Sequence, residues 1–355
     1  MFISKAFEKS GGLLKALLIA SAATALTLSS DSSKAAVTSG TEMCLRVLIP
    51  SLFPFMALSA MAVKLGICQS IGRKLGFITK KLFGLSGAFA PVIILSLIGG
   101  YPVGARGIAE LKSSGTVSEK QSAKAALFAV CAGPGFLINY VGCSLYGSAE
   151  AGLIILSAQV ISVIILGIAV NIFDRNKNDY NSVSELYTKP LPFSTALVES
   201  TYSAAKGMAQ ICALVLIFSA ATGIIEGLIP NSDLLNIWKI TAEVCSGVSL
   251  ASREFPVEVT AFAVGFGGLC VHFQIFAALG SINVNKWLFF LIRIIQGLIT
   301  ALLTKLLSFV FMKEVAVYSS GQIAGAGVFG GSVLSAAALT AVAVCFLFSL
   351  KNFRR

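Results

Sequence analysis

Four segments rich in glycine carry the residues best suited to bind a solute. The first reads Gly99-Gly100-Tyr101-Pro102-Val103-Gly104-Ala105-Arg106. Its glycines and proline are expected to break a helix, so that a half-helix begins after Pro102 with unpaired N–H groups that attract an anion. Arg106 adds a cation that can hold a carboxylate with two hydrogen bonds, or else it extends to the inner membrane surface. The predicted binding residues of this segment are Gly100, Pro102, Gly104 and Arg106.

The second segment is Gly133-Pro134-Gly135, with Asn139 about one helical turn beyond it. Glycine and proline together open the hydrogen-bond ladder of a helix. Asn139 then either binds the solute or forms a hydrogen bond to a neighbouring helix. Gly133, Pro134 and Asn139 are predicted site residues.

The third segment contains Glu243, Ser246 and Gly247 within an apolar run. A carboxylate in a membrane costs a few kcal/mol, which makes it a functional candidate. Glu243 is expected to coordinate a coupling Na⁺, relay a coupling H⁺, or accept hydrogen bonds from the solute. The alternative is a shallow segment in which Glu243 faces water.

The fourth segment places His272 and Gln274 after Gly265, Gly267 and Gly268. His272 is the only histidine, and no partners are spaced to complete a metal site with it. It is either a packed polar side chain or part of the binding site. In the next apolar run, Arg293 and Gln296 lie one turn apart and are expected to pair with a carboxylate or a carbonyl.

Other chemistries find little support in the sequence. The chain has no GxSxG elbow, HExxH, Walker A or dinucleotide motif, so an enzyme is not predicted. Its eight cysteines are dispersed and form no CxxC pair, which does not indicate a metal or cofactor site. The net charge of +11 lies mostly in short segments between apolar runs, and no basic face of the kind that binds nucleic acid is evident.

The elements that position these segments are predicted to be membrane helices. The chain is 56% hydrophobic and 12% charged, with a mean hydropathy of +0.87, whereas soluble proteins are roughly 25% charged. Apolar runs of about 20 residues predict about eight transmembrane helices. They fall near residues 11–30, 43–63, 122–147, 150–173, 203–229, 257–280, 286–312 and 325–350. The first is either a retained helix or a signal-like segment.

Charge predicts the orientation. Basic residues cluster in segments 64–81, 112–124 and 174–189 and at the carboxyl end, so these are expected inside, and both termini are expected in the cytoplasm. This arrangement requires the runs 88–110 and 234–255 to enter the membrane and return without crossing, and it leaves 31–42 as an outer loop. Segment 66–82 alternates apolar and basic residues at helical spacing, which predicts an interfacial helix in the lipid bilayer.

The pattern predicts an all-α polytopic membrane protein built from two inverted repeats. Each repeat has an apolar span, a hairpin, a broken helix and an uninterrupted span. The predicted organisation is an N-terminal transmembrane helix or signal-like segment (1–40), a first repeat (41–173), a cytoplasmic linker (174–199), a second repeat (200–312) and a C-terminal transmembrane helix (313–355). Inverted repeats with interrupted helices are typical of transporters that bind solute near the middle of the membrane.

The segments Gly100–Arg106, Ala132-Gly133-Pro134-Gly135-Phe136 and Gly267–Gln274 resemble those of the YlbJ-type sporulation integral membrane proteins, which carry a nucleoside-recognition (Gate) domain. That family is similar to concentrative nucleoside transporters. The resemblance implies eight crossings, two opposed hairpins, an interfacial helix and a homotrimer. It also implies a sporulation role in a bacterial cell or forespore membrane, where close relatives move dipicolinic acid.

The first hairpin departs from the nucleoside carriers because it lacks their Gln-Thr-Glu group that reads a base. This favours a secondary transporter of a small anionic solute, such as dipicolinic acid. The alternatives are a cation-coupled nucleoside transporter and a membrane scaffold for spore formation that transports nothing.

Overall fold

The computed structural model describes residues 19–174, 190–230 and 232–311, and all regular secondary structure in these ranges is helical. The first half contains Ile19–Leu28, Ser30–Met43, a wider helical turn Cys44–Leu48, Ile49–Lys64, Ile67–Phe83, Phe89–Gly99, Tyr101–Ser113, Glu119–Phe128, Gly135–Leu145 and Ala149–Phe173. The second half contains Phe193–Leu228, Asp233–Ala242, Val244–Glu254, Val257–Phe266, Gly268–Leu279 and Lys286–Phe311.

Five of the described helical segments are long and apolar enough to cross a membrane. They are Ser30–Lys64, Ala149–Phe173, Phe193–Leu228, Val257–Leu279 and Lys286–Val310. The predicted crossing 122–147 is divided into Glu119–Phe128 and Gly135–Leu145. The protein is an all-α polytopic membrane protein, as predicted. The predicted C-terminal helix, both chain ends and most of the linker lie outside the described residues, so the orientation of the termini stays a prediction.

One segment differs from its prediction. Residues 31–42 were expected as an outer loop, but Ser30–Met43 is helical and continues into the first span. The serines, threonines and glycine of this helix lower its hydropathy, so the sequence alone did not mark it as part of a span. Small residues on this helix also pack closely against Phe193–Leu228. A Cβ on Gly40 would lie 2.4 Å from Ser219 Oγ, and a Cβ on Gly223 would lie 2.6 Å from Ser33 Cα. Small residues of this kind bring membrane helices together.

Both predicted hairpins are present. Phe89–Gly99 and Tyr101–Ser113 meet at Gly100, and Asp233–Ala242 and Val244–Glu254 meet at Glu243. The two arms of the first hairpin are antiparallel, because Gly104 faces Ser96 and Gly107 faces Val92. Each arm has 10 to 13 residues, fewer than the roughly 20 that a crossing helix needs. This geometry fits segments that enter the membrane and return.

The order of span, hairpin, broken helix and span occurs once in each half. Contacts between the halves join corresponding elements. The first spans of the two halves, Ile49–Lys64 and Phe193–Leu228, pack together, and so do the last spans, Ala149–Phe173 and Lys286–Phe311. The second arm of each hairpin also contacts the second part of the broken helix of the other half. A pseudo-twofold relation would produce this exchange of contacts, and it supports the interpretation as two inverted repeats.

Segments expected on the inner side also meet in pairs. Lys64 forms an ion pair with Glu199, and Lys124 forms one with Asp174 at 2.9 Å. The predicted interfacial segment is the helix Ile67–Phe83, bounded by Gly66 and Gly84, both with positive φ. Its position at the membrane surface stays a prediction.

The last spans of the two halves face each other with buried polar residues. Arg293, Gln296, Thr300 and Thr304 follow at helical spacing on Lys286–Phe311, and all four are fully buried. Thr300 Oγ1 lies 3.0 Å from Ser162 Oγ of Ala149–Phe173. The opposite face of Lys286–Phe311 is apolar and exposed, as expected for a helix in contact with lipid: Leu291, Ile294, Leu298, Leu302 and Leu306.

Close glycine contacts give a first prediction. A Cβ on Gly152 would lie 2.4 Å from Leu137 O and 2.8 Å from Ile138 Cα. Neither atom can move without shifting the helix Gly135–Leu145, so we expect Gly152→Val to destabilise the protein by roughly 1–3 kcal/mol. A thermal unfolding assay in detergent checks this, with Ile164→Val on the exposed side of the same helix as the control. Equal stability of the two variants would contradict the close contact.

Candidate functional site

A cavity lies between the two hairpin joints and the first helix break, and the second helix break packs against the second joint. It contains about 500 Å³ of empty space, including the part open to solvent. Most of its wall is apolar. The residues that line it are Leu48, Leu52, Met56, Gly99, Gly100, Tyr101, Pro102, Ala132, Gly133, Phe136, Ile211, Val215, Glu243, Val244, Cys245, Val271 and Gln274.

Glu243 supplies the carboxylate of this cavity. It is 3% exposed and precedes the helix Val244–Glu254. Its two oxygens accept hydrogen bonds from Cys245 N (2.9 Å), Ser246 N (2.7 Å) and Ser246 Oγ (2.9 Å). These donors hold the side chain in place as the cap of this helix. Glu243 therefore provides a fixed hydrogen-bond acceptor that is buried in the protein, while its depth in the membrane stays a prediction.

Ser246 and Gly247 have supporting positions. The Ser246 hydroxyl and amide orient the Glu243 carboxylate. A Cβ on Gly247 would lie 2.9 Å from Ile240 Cα, so Gly247 lets the two arms of the second hairpin approach. Neither residue lines the cavity.

The first hairpin contributes its joint. Gly100 has φ 83° and ψ −174°, a conformation that only glycine adopts without strain. The helix begins at Tyr101, two residues earlier than predicted, and the N–H groups of Val103 and Gly104 donate to Gly100 O. Fewer unpaired N–H groups thus face the cavity than the sequence suggested. Pro102 lines the cavity, whereas Gly104 packs against Ser96.

In the first broken helix, Gly133 lines the cavity and Asn139 lies on the exposed face. A Cβ on Gly133 would lie 2.9 Å from Ile98 O and 3.1 Å from Gly100 N, so the break and the hairpin joint are in close contact. Pro134 immediately precedes the helix Gly135–Leu145. Asn139 is exposed because Phe136 and Tyr140 occupy the buried face of this helix. Asn139 does not line the cavity, and its role in solute binding stays a prediction.

The second broken helix divides the two polar candidates. Gln274 is 7% exposed and lines the cavity. His272 does not line it, and its Nε2 lies 2.8 Å from Phe266 O. Its ring packs edge-on against Phe266, Phe289 and Phe290. Of the two interpretations left open for His272, the structure supports the packed polar side chain.

Arg106 does not line the cavity. Its guanidinium lies against Phe193–Leu228, where Nη1 donates to Ser203 O at 3.4 Å and fills the space beside Gly207. Position 106 is on the side of its helix that faces this span, because Tyr101 and Gly104 occupy the side toward the two breaks. The predicted grip on a solute carboxylate is therefore not available from this side chain.

Arg293 is the residue that motif reasoning undervalued. It is fully buried, and its Nε donates to Phe266 O (3.2 Å) while Nη1 donates to Val130 O (2.7 Å) and Gln296 Oε1 (2.6 Å). Val130 and Phe266 are the residues at the two helix breaks, so one guanidinium joins both halves. The expected carbonyl pairing is confirmed. An arginine in the middle of an apolar run was the available signal.

The chain is similar to the sporulation integral membrane protein YlbJ of Bacillus subtilis (strain 168). The two are 23% identical over 309 residues, which cover 76% of each chain. No protein-family model matches the chain, and no solved structure matches it. The chain is thus an integral membrane protein with a distant relative among the sporulation integral membrane proteins.

Proposed function

We propose that this protein is a secondary transporter of a small solute that acts in spore formation and works by alternating access. One observation carries the proposal: the joints of both hairpins and the first helix break line one cavity, and the second helix break packs directly against the second joint. Unwound backbone within a membrane is tolerated where it lines a cavity, and transporter sites are built in this way. The similarity to a sporulation membrane protein supports the cellular role.

Dipicolinic acid is the proposed solute, in line with the family resemblance. A single-ring compound would enter once the cavity widens in another state of the alternating-access cycle. The Glu243 carboxylate would repel a dianion, so transport of dipicolinate requires a coupling Na⁺ or H⁺ at this carboxylate. The homotrimer that the resemblance implies is part of the same proposal.

A cation-coupled nucleoside transporter is the second candidate. Glu243 and Gln274 both line the cavity, and a carboxylate with an amide is well suited to the hydroxyl and amide groups of a nucleoside. A scaffold that transports nothing is less consistent with Glu243, because a buried carboxylate costs several kcal/mol and packing alone does not call for it.

Uptake by proteoliposomes tests the proposal. Purified protein is reconstituted and supplied with labelled dipicolinate or uridine, with and without gradients of Na⁺ and H⁺. We expect accumulation of dipicolinate that depends on one of the two gradients, and none in protein-free vesicles. Accumulation of uridine alone would establish the second candidate. If neither solute moves under any gradient, the transport proposal is wrong and the scaffold is favoured.

A further inference from the structure

Arg293 is a buried cation whose charge no carboxylate neutralises in the part of the chain that the structure describes. The ion pairs found there involve Lys64, Lys124 and Lys239. The polar partners of Arg293 are two backbone carbonyls and the Gln296 amide oxygen. Burying a charge without a full partner costs several kcal/mol in a membrane, so such residues mark functional sites.

The carbonyl partners satisfy only part of the guanidinium. Phe266 and Val130 lie at or just past the carboxyl ends of two half-helices, and each such end carries roughly half a negative charge. The carbonyl oxygens of Phe266 and Val130 accept hydrogen bonds from Arg293 Nε and Nη1, respectively. The Nη2 atom, which bears two N–H donors, is buried without a hydrogen bond of normal geometry among the described residues, and the Tyr101 hydroxyl is a polar group near the guanidinium. Gln296 Nε2 is also buried without a hydrogen-bond partner among the described residues.

These unused donors lie directly behind one wall of the cavity. The Arg293 Cζ atom is 5.6 Å from the centre of the Tyr101 ring, and Tyr101 lines the cavity. A Cβ placed on Gly267 would lie 3.1 Å from Arg293 Nη2 and 3.4 Å from Tyr101 Cε1. The free end of the guanidinium, the ring edge and the second helix break therefore meet at one point.

Tyr101 both lines the cavity and faces Arg293, and it sits next to the hairpin joint at Gly100. Its hydroxyl donates to Val264 O at 2.5 Å, which holds the ring in place. A hinge movement at Gly100 would carry Tyr101 with it and open the way to Nη2.

We propose that Arg293 binds the carboxylate of an anionic solute through Nη2 once the Tyr101 ring moves aside. This inference rests on the proposed transport function and identifies the residue that recognises the charge of the proposed solute. It assigns to Arg293 the role that the sequence suggested for Arg106. Charge recognition then lies at the contact between the two halves, so that binding an anion links the solute to both helix breaks.

A ratio of two uptake rates tests this assignment. The probes are pyridine-2,6-dicarboxylate and its uncharged diamide, which have nearly the same shape and differ in charge. We expect Arg293→Gln to lower the rate for the dicarboxylate relative to that for the diamide by about tenfold or more, since a hydrogen bond to a charged group contributes roughly 1.5–3 kcal/mol. Because both rates come from one preparation, the ratio does not depend on the fraction of folded protein.

Three further variants make the result decisive. Arg293→Lys keeps the charge without the fork and is expected to give an intermediate ratio, which serves if Arg293→Gln does not fold. Arg253→Gln, at an exposed arginine, should leave the ratio unchanged. Arg106→Gln should also leave it unchanged, and a fall there instead would overturn the assignment. An unchanged ratio in both Arg293→Gln and Arg293→Lys would also overturn the assignment. If the wild-type protein moves neither probe, the proposed function itself has failed.

Discussion

Replacing Glu243 with glutamine is expected to lower solute transport by about tenfold to a hundredfold, because hydrogen bonds to a charged group contribute roughly 1.5–3 kcal/mol. The carboxylate accepts three hydrogen bonds at the end of the second hairpin and lines the cavity. An amide has one oxygen in place of two, so its nitrogen would face a backbone N–H donor. The change therefore removes a charge from the cavity and disturbs the hairpin joint.

Initial uptake rates in proteoliposomes provide the measurement. Glu226→Gln is the matched control, since Glu226 is also a carboxylate but is half-exposed and pairs with Lys239. Glu243→Asp retains the charge with a shorter reach and should keep more activity than Glu243→Gln. Full transport by Glu243→Gln would exclude a role for this carboxylate in solute binding or coupling.

Gly100→Ala is expected to abolish most transport and to lower stability by about 1–3 kcal/mol, the usual cost of a residue forced into a sparsely populated backbone region. Gly100 has φ 83°, and a Cβ there would lie 3.3 Å from Gly133 N. The alanine would therefore strain the hairpin joint and press on the first helix break at the edge of the cavity.

Gly115→Ala is the control that distinguishes the effect of backbone strain from the effect of a contact beside the cavity. Gly115 also has a positive φ of 72°, but a Cβ there meets nothing within 4 Å. We expect this control to lose some thermal stability and to keep its transport rate per folded molecule. A similar loss of transport in both variants would mean that strain in general, and not the geometry of the cavity, limits the rate.

The hairpins and helix breaks were predictable because their causes are local. Glycine and proline interrupt a helix wherever they occur together, and basic residues between apolar runs fix which runs return without crossing. This reasoning located the first joint at Gly99-Gly100 and both breaks. It gave only the bounds 234–255 for the second hairpin, because the joint at Glu243 contains neither glycine nor proline. The same reasoning identified Gly133 and Gln274 as cavity residues without any knowledge of their neighbours.

Side-chain placement was less predictable because it depends on helix rotation and on packing between distant segments. Asn139 and Arg106 are polar residues close to the right breaks, but they lie on the wrong faces of their helices. Arg293 is far from every glycine motif in the sequence and reaches Val130 across 163 positions. The apolar part of the cavity wall, such as Met56 and Ile211, looks like any other part of a membrane span.

The buried polar face of Lys286–Phe311 has a consequence for biosynthesis. An arginine at the centre of a membrane helix opposes insertion by roughly 2.5–3.5 kcal/mol, whereas each leucine, isoleucine or phenylalanine favours it by about 0.3–0.6 kcal/mol. The leucines and isoleucines of this helix outnumber Arg293, so the translocon can release it into lipid. Its partners, Val130 and Phe266, are synthesised earlier. The helix therefore finds its acceptors already in the membrane, and its arrival joins the two halves of the protein.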